Sequence, residues 1–194
     1  MGEIMERCRT IRAQVFAEQF FLRLRCIELH CIEPGLGRQP VLRADKCCLV
    51  AFAWAIANKA LDDGQKKIAY QEKPFAEIQG KTRAPQVGAP VGLPTAKMTP
   101  KQRGLLMKLL QAYTARMPPD VAESEMSEVN KAGIDQIYFA YNGGLEAGKG
   151  HTYRVQGPTF VIEFLNVQKD SAGNAANHIH SGWRNVKGDF GLTN

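Results

Sequence analysis

Four runs in the second half of the chain, "IDQIYFAYN", "HTYRVQ", "TFVIEFLNV" and "NHIHSGWR", read as strands. They limit the available folds more than any other feature, because a strand carrying one apolar face must bury it against a second layer. That layer is legible upstream. In "MTPKQRGLLMKLLQAYTARMPP", Thr99 is placed to cap a helix, with Pro100 at its first position and Gln102 closing a capping box. Leu105, Leu106, Leu109, Leu110 and Tyr113 form its apolar stripe, and Pro118 stops it. "PDVAESEMSEVNKAG" predicts a second helix with Val121, Met126 and Val129 inward and Gly133 as its end. The expected fold is α+β: two or three helices packed on an antiparallel four-stranded sheet.

The stretch "HTYRVQGPTFVIEF" supports a register. With Gly157 and Pro158 as a two-residue turn, Gln156 faces Thr159, Arg154 faces Val161 and Thr152 faces Glu163. Alternation then places Tyr153, Val155, Phe160, Ile162 and Phe164 on the core face. Arg154 and Glu163 share the other face, near-diagonal to each other.

In "NHIHSGWR" the same period sends His178, His180 and Gly182 to one face and Ile179, Ser181 and Trp183 to the other. Two histidines on one strand face, about 7 Å apart along it, can reach one metal ion. Glu163 is the first candidate for a third ligand, with His151, Asp189 and Asn177 behind it. Two imidazoles and a carboxylate would suit Fe(II), Mn(II) or a catalytic Zn(II), which makes a divalent transition metal the candidate cofactor, beside a metal-free polar pocket and a purely structural role for the histidines. "NGGLEAGKGH" lacks the GK[ST] of a phosphate loop and reads as a turn, and no Gly-x-Ser-x-Gly elbow occurs.

Composition narrows the classes further. A chain of 194 residues with 44% hydrophobic and 23% charged residues suits one globular domain, alone or with an appendage. The net charge of +6 is scattered over single Lys and Arg residues, which makes nucleic acid an unlikely partner. "CCLVAFAWAIA", residues 47 to 57, is too short to span a bilayer and reads as the start of a core helix continuing through "NKALDDGQKKIAY". "QGKTRAPQVGAPVGLPTAK" reads as an extended surface segment.

A seam lies near residue 48. Cys8, Cys26, Cys31, Cys47 and Cys48 precede it and no cysteine follows. Seven arginines and one lysine, Lys46, give way to five arginines and twelve lysines. Residues 1 to 48, helical by pattern around "ERCRTIRAQVFAEQFFLRLRCIELHCIE", thus read as a segment of separate origin, and residues 49 to 194 as the domain. As the chain stands it reads as cytoplasmic; a true start near residue 43 would make it an exported one.

"MTPKQRGLLMKLLQAYTARMPPDVAESEM" and the run from "GIDQIYFAYNGG" to "GDFG", with "YRVQGPTFVIEF" and "NHIHSGWR" inside it, closely resemble the C-terminal half of a bacterial family of uncharacterised proteins, the domain-of-unknown-function family numbered 3500. The resemblance runs from about residue 58 to 191. "ANKALDDGQKKIAY" is similar to that family's early helix, which is usually followed by a longer segment than this chain has. The family's characteristic polar residues correspond to Arg154, Gln156, Glu163, Asn166, Gln168, Asn177, His178, His180, Trp183 and Arg184. The resemblance names no substrate.

So many polar groups on one sheet imply a pocket, since burying them otherwise is costly. The first hypothesis is an enzyme, metal-dependent and hydrolytic or oxidative. His178, His180, Glu163 and Arg154 are its catalytic candidates, and His178, His180 and Glu163 its metal ligands. Arg154, Gln156, Asn177, Trp183 and Arg184 would bind a small polar or anionic substrate. The alternatives are a non-catalytic small-ligand-binding module, or a fragment whose histidines are structural. The seam makes a direct prediction: removing residues 1 to 48 leaves a soluble, cooperatively melting protein, and a truncated chain that cannot fold would make the N-terminal segment part of the domain.

Overall fold

A computed structural model describes residues 53, 55–76, 82–144 and 149–189. The expectations for residues 1 to 48, and the cysteines among them, lie outside the described residues. A π-helical turn, Ala55–Ala60, leads into α1, Asp63–Ala69. Strand β1, Leu93–Pro94, precedes α2, Pro100–Thr114, and α3, Pro119–Ala132. Four strands follow: β2, Tyr138–Gly143; β3, His151–Gln156; β4, Phe160–Gln168; and β5, His178–Asn185. They form one antiparallel sheet in the order β1-β2-β3-β4-β5. The class is α+β, with a fifth strand that sequence pattern could not supply because two residues carry no period.

The helices start where their caps direct. Thr99 Oγ1 accepts from the Gln102 backbone N–H, and Gln102 Oε1 accepts in return from the Thr99 N–H. Asp62 and Gln65 make the same reciprocal pair at α1. Leu106, Leu109, Leu110 and Tyr113 are buried on the inner stripe of α2, and Leu105 packs at its margin. On α3, Val129 is buried and Met126 partly so, but Val121 faces outward. Val121 sits in the first turn of the helix and is 41% exposed. Gly133 ends α3 at φ 95°, where a side chain would be strained.

Between β3 and β4 the expected turn is displaced by one residue. The Gly157 N–H donates to Phe160 O at 3.0 Å, leaving Pro158 and Thr159 as the turn, and the first ladder pair is Gln156 with Val161. The reason is packing: a Cβ on Gly157 would come within 2.6 Å of the Phe160 ring, which itself stacks on Trp183 at 4.4 Å. Displacing a turn by one residue shifts the register by two, an even number, so every side chain keeps its face. Tyr153, Val155, Phe160, Ile162 and Phe164 are all fully buried against the helices.

That core carries polar groups of its own. The Tyr113 hydroxyl lies 2.8 Å from Tyr153 OH and 2.6 Å from Ser181 Oγ, tying α2 to β3 and β5. Burial pushes the Tyr113 phenol up to about 12 and holds Tyr153 well above its ordinary value, so both stay neutral hydrogen-bonding groups. His151 stacks on Phe164 with centroids 5.3 Å apart, its Nδ1 against Lys149 O at 3.1 Å.

Burial lowers the pKa of His151, the cause being the cost of placing a cation there. As pH falls below the ordinary histidine value, the unfolded chain takes this proton first, so stability is present at neutral pH and is lost downward until the lowered folded pKa is passed. Melting temperatures measured between pH 7 and pH 5 should therefore fall less steeply for His151→Phe than for the parent chain. Parallel curves would remove His151 as a contributor.

Candidate functional site

The sheet has two faces with different partners. Helices cover the face of Tyr153, Ile162 and Trp183. The other bears Asn142, Thr152, Arg154 and Gln156 from β2 and β3, and Glu163, His180 and Arg184 from β4 and β5. The sequence pattern placed Arg154 and Glu163 on this face, and the register sets them directly opposite each other rather than near-diagonal. Arg154 Nη2 donates to Glu163 Oε1 at 2.5 Å, with side chains only 15% and 6% exposed.

An open pocket was expected on this face, and the chain's own residues 71–76 and 82–92 lie over it instead. Asn142 Nδ2 donates to Gln71 O at 2.7 Å, and the Phe75 N–H donates to Thr152 Oγ1 at 3.2 Å. Arg154 Nη1 reaches Val87 O at 3.4 Å, and its guanidinium lies 4.6 Å over the Phe75 ring. Gln156 Nε2 donates to Gly88 O at 2.9 Å. Arg184 donates to the Asp189 carboxylate and to Thr82 O. The segment read as extended surface is largely exposed and lies as a strap over the sheet, with its Pro85 buried and its Leu93 in the core. Residues 82–88 attach to the sheet face through the carbonyl oxygens of Thr82, Val87 and Gly88.

Trp183 and Asn177 are also engaged away from any pocket. Trp183 Nε1 donates to Glu125 Oε2 at 3.0 Å, and Asn185 Nδ2 reaches Glu125 Oε1 at 3.2 Å, so one carboxylate of α3 anchors β5. Asn177 Nδ2 donates to Asp170 Oδ2 at 2.6 Å. Asp170 also accepts from the backbones of Ala172 and Asn174 and from the Asn174 side chain. The bonds from Asn174, then from Asn177, hold its carboxyl down to about 2. Glu125 and Asp170 were not singled out from the sequence, although an Asp ahead of "SAGN" is an Asx-turn signal that could have marked the second.

His178 and His180 remain, at the start of β5 beside that Asp170 loop. Their Nε2 atoms are 2.7 Å apart and their rings 4.7 Å between centroids at 63°. His178 is exposed and His180 half-buried. Among the described residues no group of three or more His, Cys, Asp or Glu could hold a metal ion, so the expected triad with Glu163 does not form. The ladder explains why: Glu163 lies opposite Gly182, two pairs along from the Leu165–His180 pair, and its carboxylate is held by Arg154. Of the reserve ligands, His151 faces the core and Asp189 binds Arg184. A β-bulge after Leu165 sets His178 opposite Gln168.

A family model described as a protein of unknown function (DUF3500) matches residues 51–192. No curated protein and no solved structure matches. No helix among the described residues is long and apolar enough to cross a membrane.

The ion pair has a measurable consequence. Glu163→Leu leaves a buried guanidinium without its counter-charge and should cost about 3–5 kcal/mol of unfolding free energy. In urea titrations the double variant Arg154→Met/Glu163→Leu should recover much of that loss. A double variant as unstable as the single would show that shape, not charge, governs this position.

Proposed function

The chain belongs to the DUF3500 family of proteins of unknown function, and from that premise we propose that it is a binding module whose contact point is the His178–His180 pair. Its ligand there is a divalent transition metal that favours imidazole, such as Cu(II), Ni(II) or Zn(II). One observation carries the reading: two imidazole nitrogens 2.7 Å apart at an accessible strand end. Two nitrogens bound to one tetrahedral ion at ~2.0–2.1 Å sit roughly 3.3 Å from each other. A small opening of the two rings reaches that separation.

The choice of metal follows from the donors. Neutral imidazole suits Cu, Ni and Zn, whereas a facial Fe(II) or Mn(II) site needs a carboxylate beside the two histidines. Glu163 is committed to Arg154, so the hydrolytic or oxidative enzyme would require that pair to open. The Asp170 loop supports the pair from one side by holding Asn177, the residue before His178, in place.

Isothermal titration of the full chain with Cu(II) and Zn(II), alongside a His178→Ala/His180→Ala variant, tests this. The parent chain should take one ion, the double variant none, and each single variant should bind about tenfold or more weakly. Circular dichroism of the variants should be unchanged, since these rings lie outside the core. Equal binding by parent and double variant would place the metal elsewhere, and no binding by the parent ends the reading.

A further inference from the structure

The polar face of the sheet has a property independent of the histidines. Arg154, Gln156 and Arg184 donate to main-chain carbonyls of the strap, Val87 O, Gly88 O and Thr82 O, while Asn142 and Thr152 bond to Gln71 O and the Phe75 N–H of the segment before it. The Asp189 N–H adds a bond to Arg83 O. Side chains that address backbone carbonyls select for a shape, a stretch of chain whose carbonyls are free of helix or ladder. The strap meets that requirement with "TRAPQVGAPVG", small residues and two prolines across the central bonds.

The match is incomplete. Arg154 Nε and Gln156 Oε1, one donor and one acceptor, are buried without a hydrogen-bond partner among the described residues. Gln156 is only 5% exposed. An occupant presenting one more amide group would pair both, so the groove is built for a backbone that its own strap fits only in part.

We propose that the polar sheet face is a binding groove for an extended, small-residue polypeptide, which residues 82–92 fill in cis and for which a second such segment can compete in trans. Arg154 and Gln156 read its carbonyls at the centre, and Arg184 at one end. Association in trans requires the strap to yield, and Gly88 is where it can be made to. Gly88 sits at φ 67° with nothing within 4 Å of a built Cβ, so a β-branched residue there strains the strap while leaving the groove untouched.

The test uses the full chain and a fluorescent peptide spanning residues 82–92, read by anisotropy. Gly88→Ile should bind the peptide at least about tenfold more tightly than the parent chain, because the cis competitor is weakened. Adding Gln156→Leu to that variant should remove the gain, with Arg184→Met, which removes the donor to Thr82 O, as the alternative lesion if the first fails to fold. A peptide carrying the Gly88→Ile change itself should bind worse than the unaltered one. Equal affinity for the parent and the Gly88→Ile chain, or binding insensitive to both groove lesions, would overturn the proposal.

Discussion

Arg154 and Glu163 are two charges buried on one face of an antiparallel sheet, and the rest of that face is arranged around the cost of putting them there. A buried ion pair is tolerable when the remaining donors find partners as well. Glu163 takes one guanidinium nitrogen, Val87 O takes a second, and the Phe75 ring covers the plane. The pair therefore demands a cover that brings carbonyl oxygens, and a cover made of chain without secondary structure is the kind that has them to spare. Strap and ion pair depend on each other: the strap supplies the Val87 carbonyl to the guanidinium, and the sheet supplies donors to the carbonyls of Thr82, Val87 and Gly88.

Much of this was legible in the sequence, and the reason is periodicity. The capping box at Thr99, the stripe from Leu106 to Tyr113 and the alternating face of Tyr153, Val155, Ile162 and Phe164 all follow from rules that act over a few neighbouring residues. Even the misplaced turn between Gln156 and Val161 left the faces intact, since the error was an even number of residues. Illegible were the features decided by distant contact. The two-residue β1 exists because it pairs with Tyr138 and Phe139, and the position of the turn is decided by where the Phe160 ring must fit.

The candidate site divides along the same line. Alternation said that His178 and His180 share a face, and their ring nitrogens meet at 2.7 Å. It also put Glu163 on that face, but sharing a face says nothing about distance along the ladder, and two pairs of separation with an arginine directly opposite took the carboxylate away. The polar residues Arg154, Gln156 and Arg184 looked like a receptor for a ligand because nothing in a sequence reveals that carbonyls of the same chain, 67 to 102 residues upstream, take their hydrogen bonds. Asn142 and Glu125 could not be recognised at all, since each acts on a partner in another element.

Around Arg154 and Glu163 the sheet is consequently covered on both faces, by different chemistry. The helical side uses apolar area, which is strong, non-directional and indifferent to the exact identity of its partner. The strap side has few large apolar groups to offer, so its adhesion rests on individual hydrogen bonds, each worth little net and costly only when one member is withdrawn. A layer held that way is the weaker of the two and the easier to exchange, because its bonds can be remade one for one by another backbone while the helical core stays closed. That asymmetry separates a domain that merely covers its polar groups from one that can trade the cover, and it places any exchange at Arg154 and Gln156 rather than at the histidines.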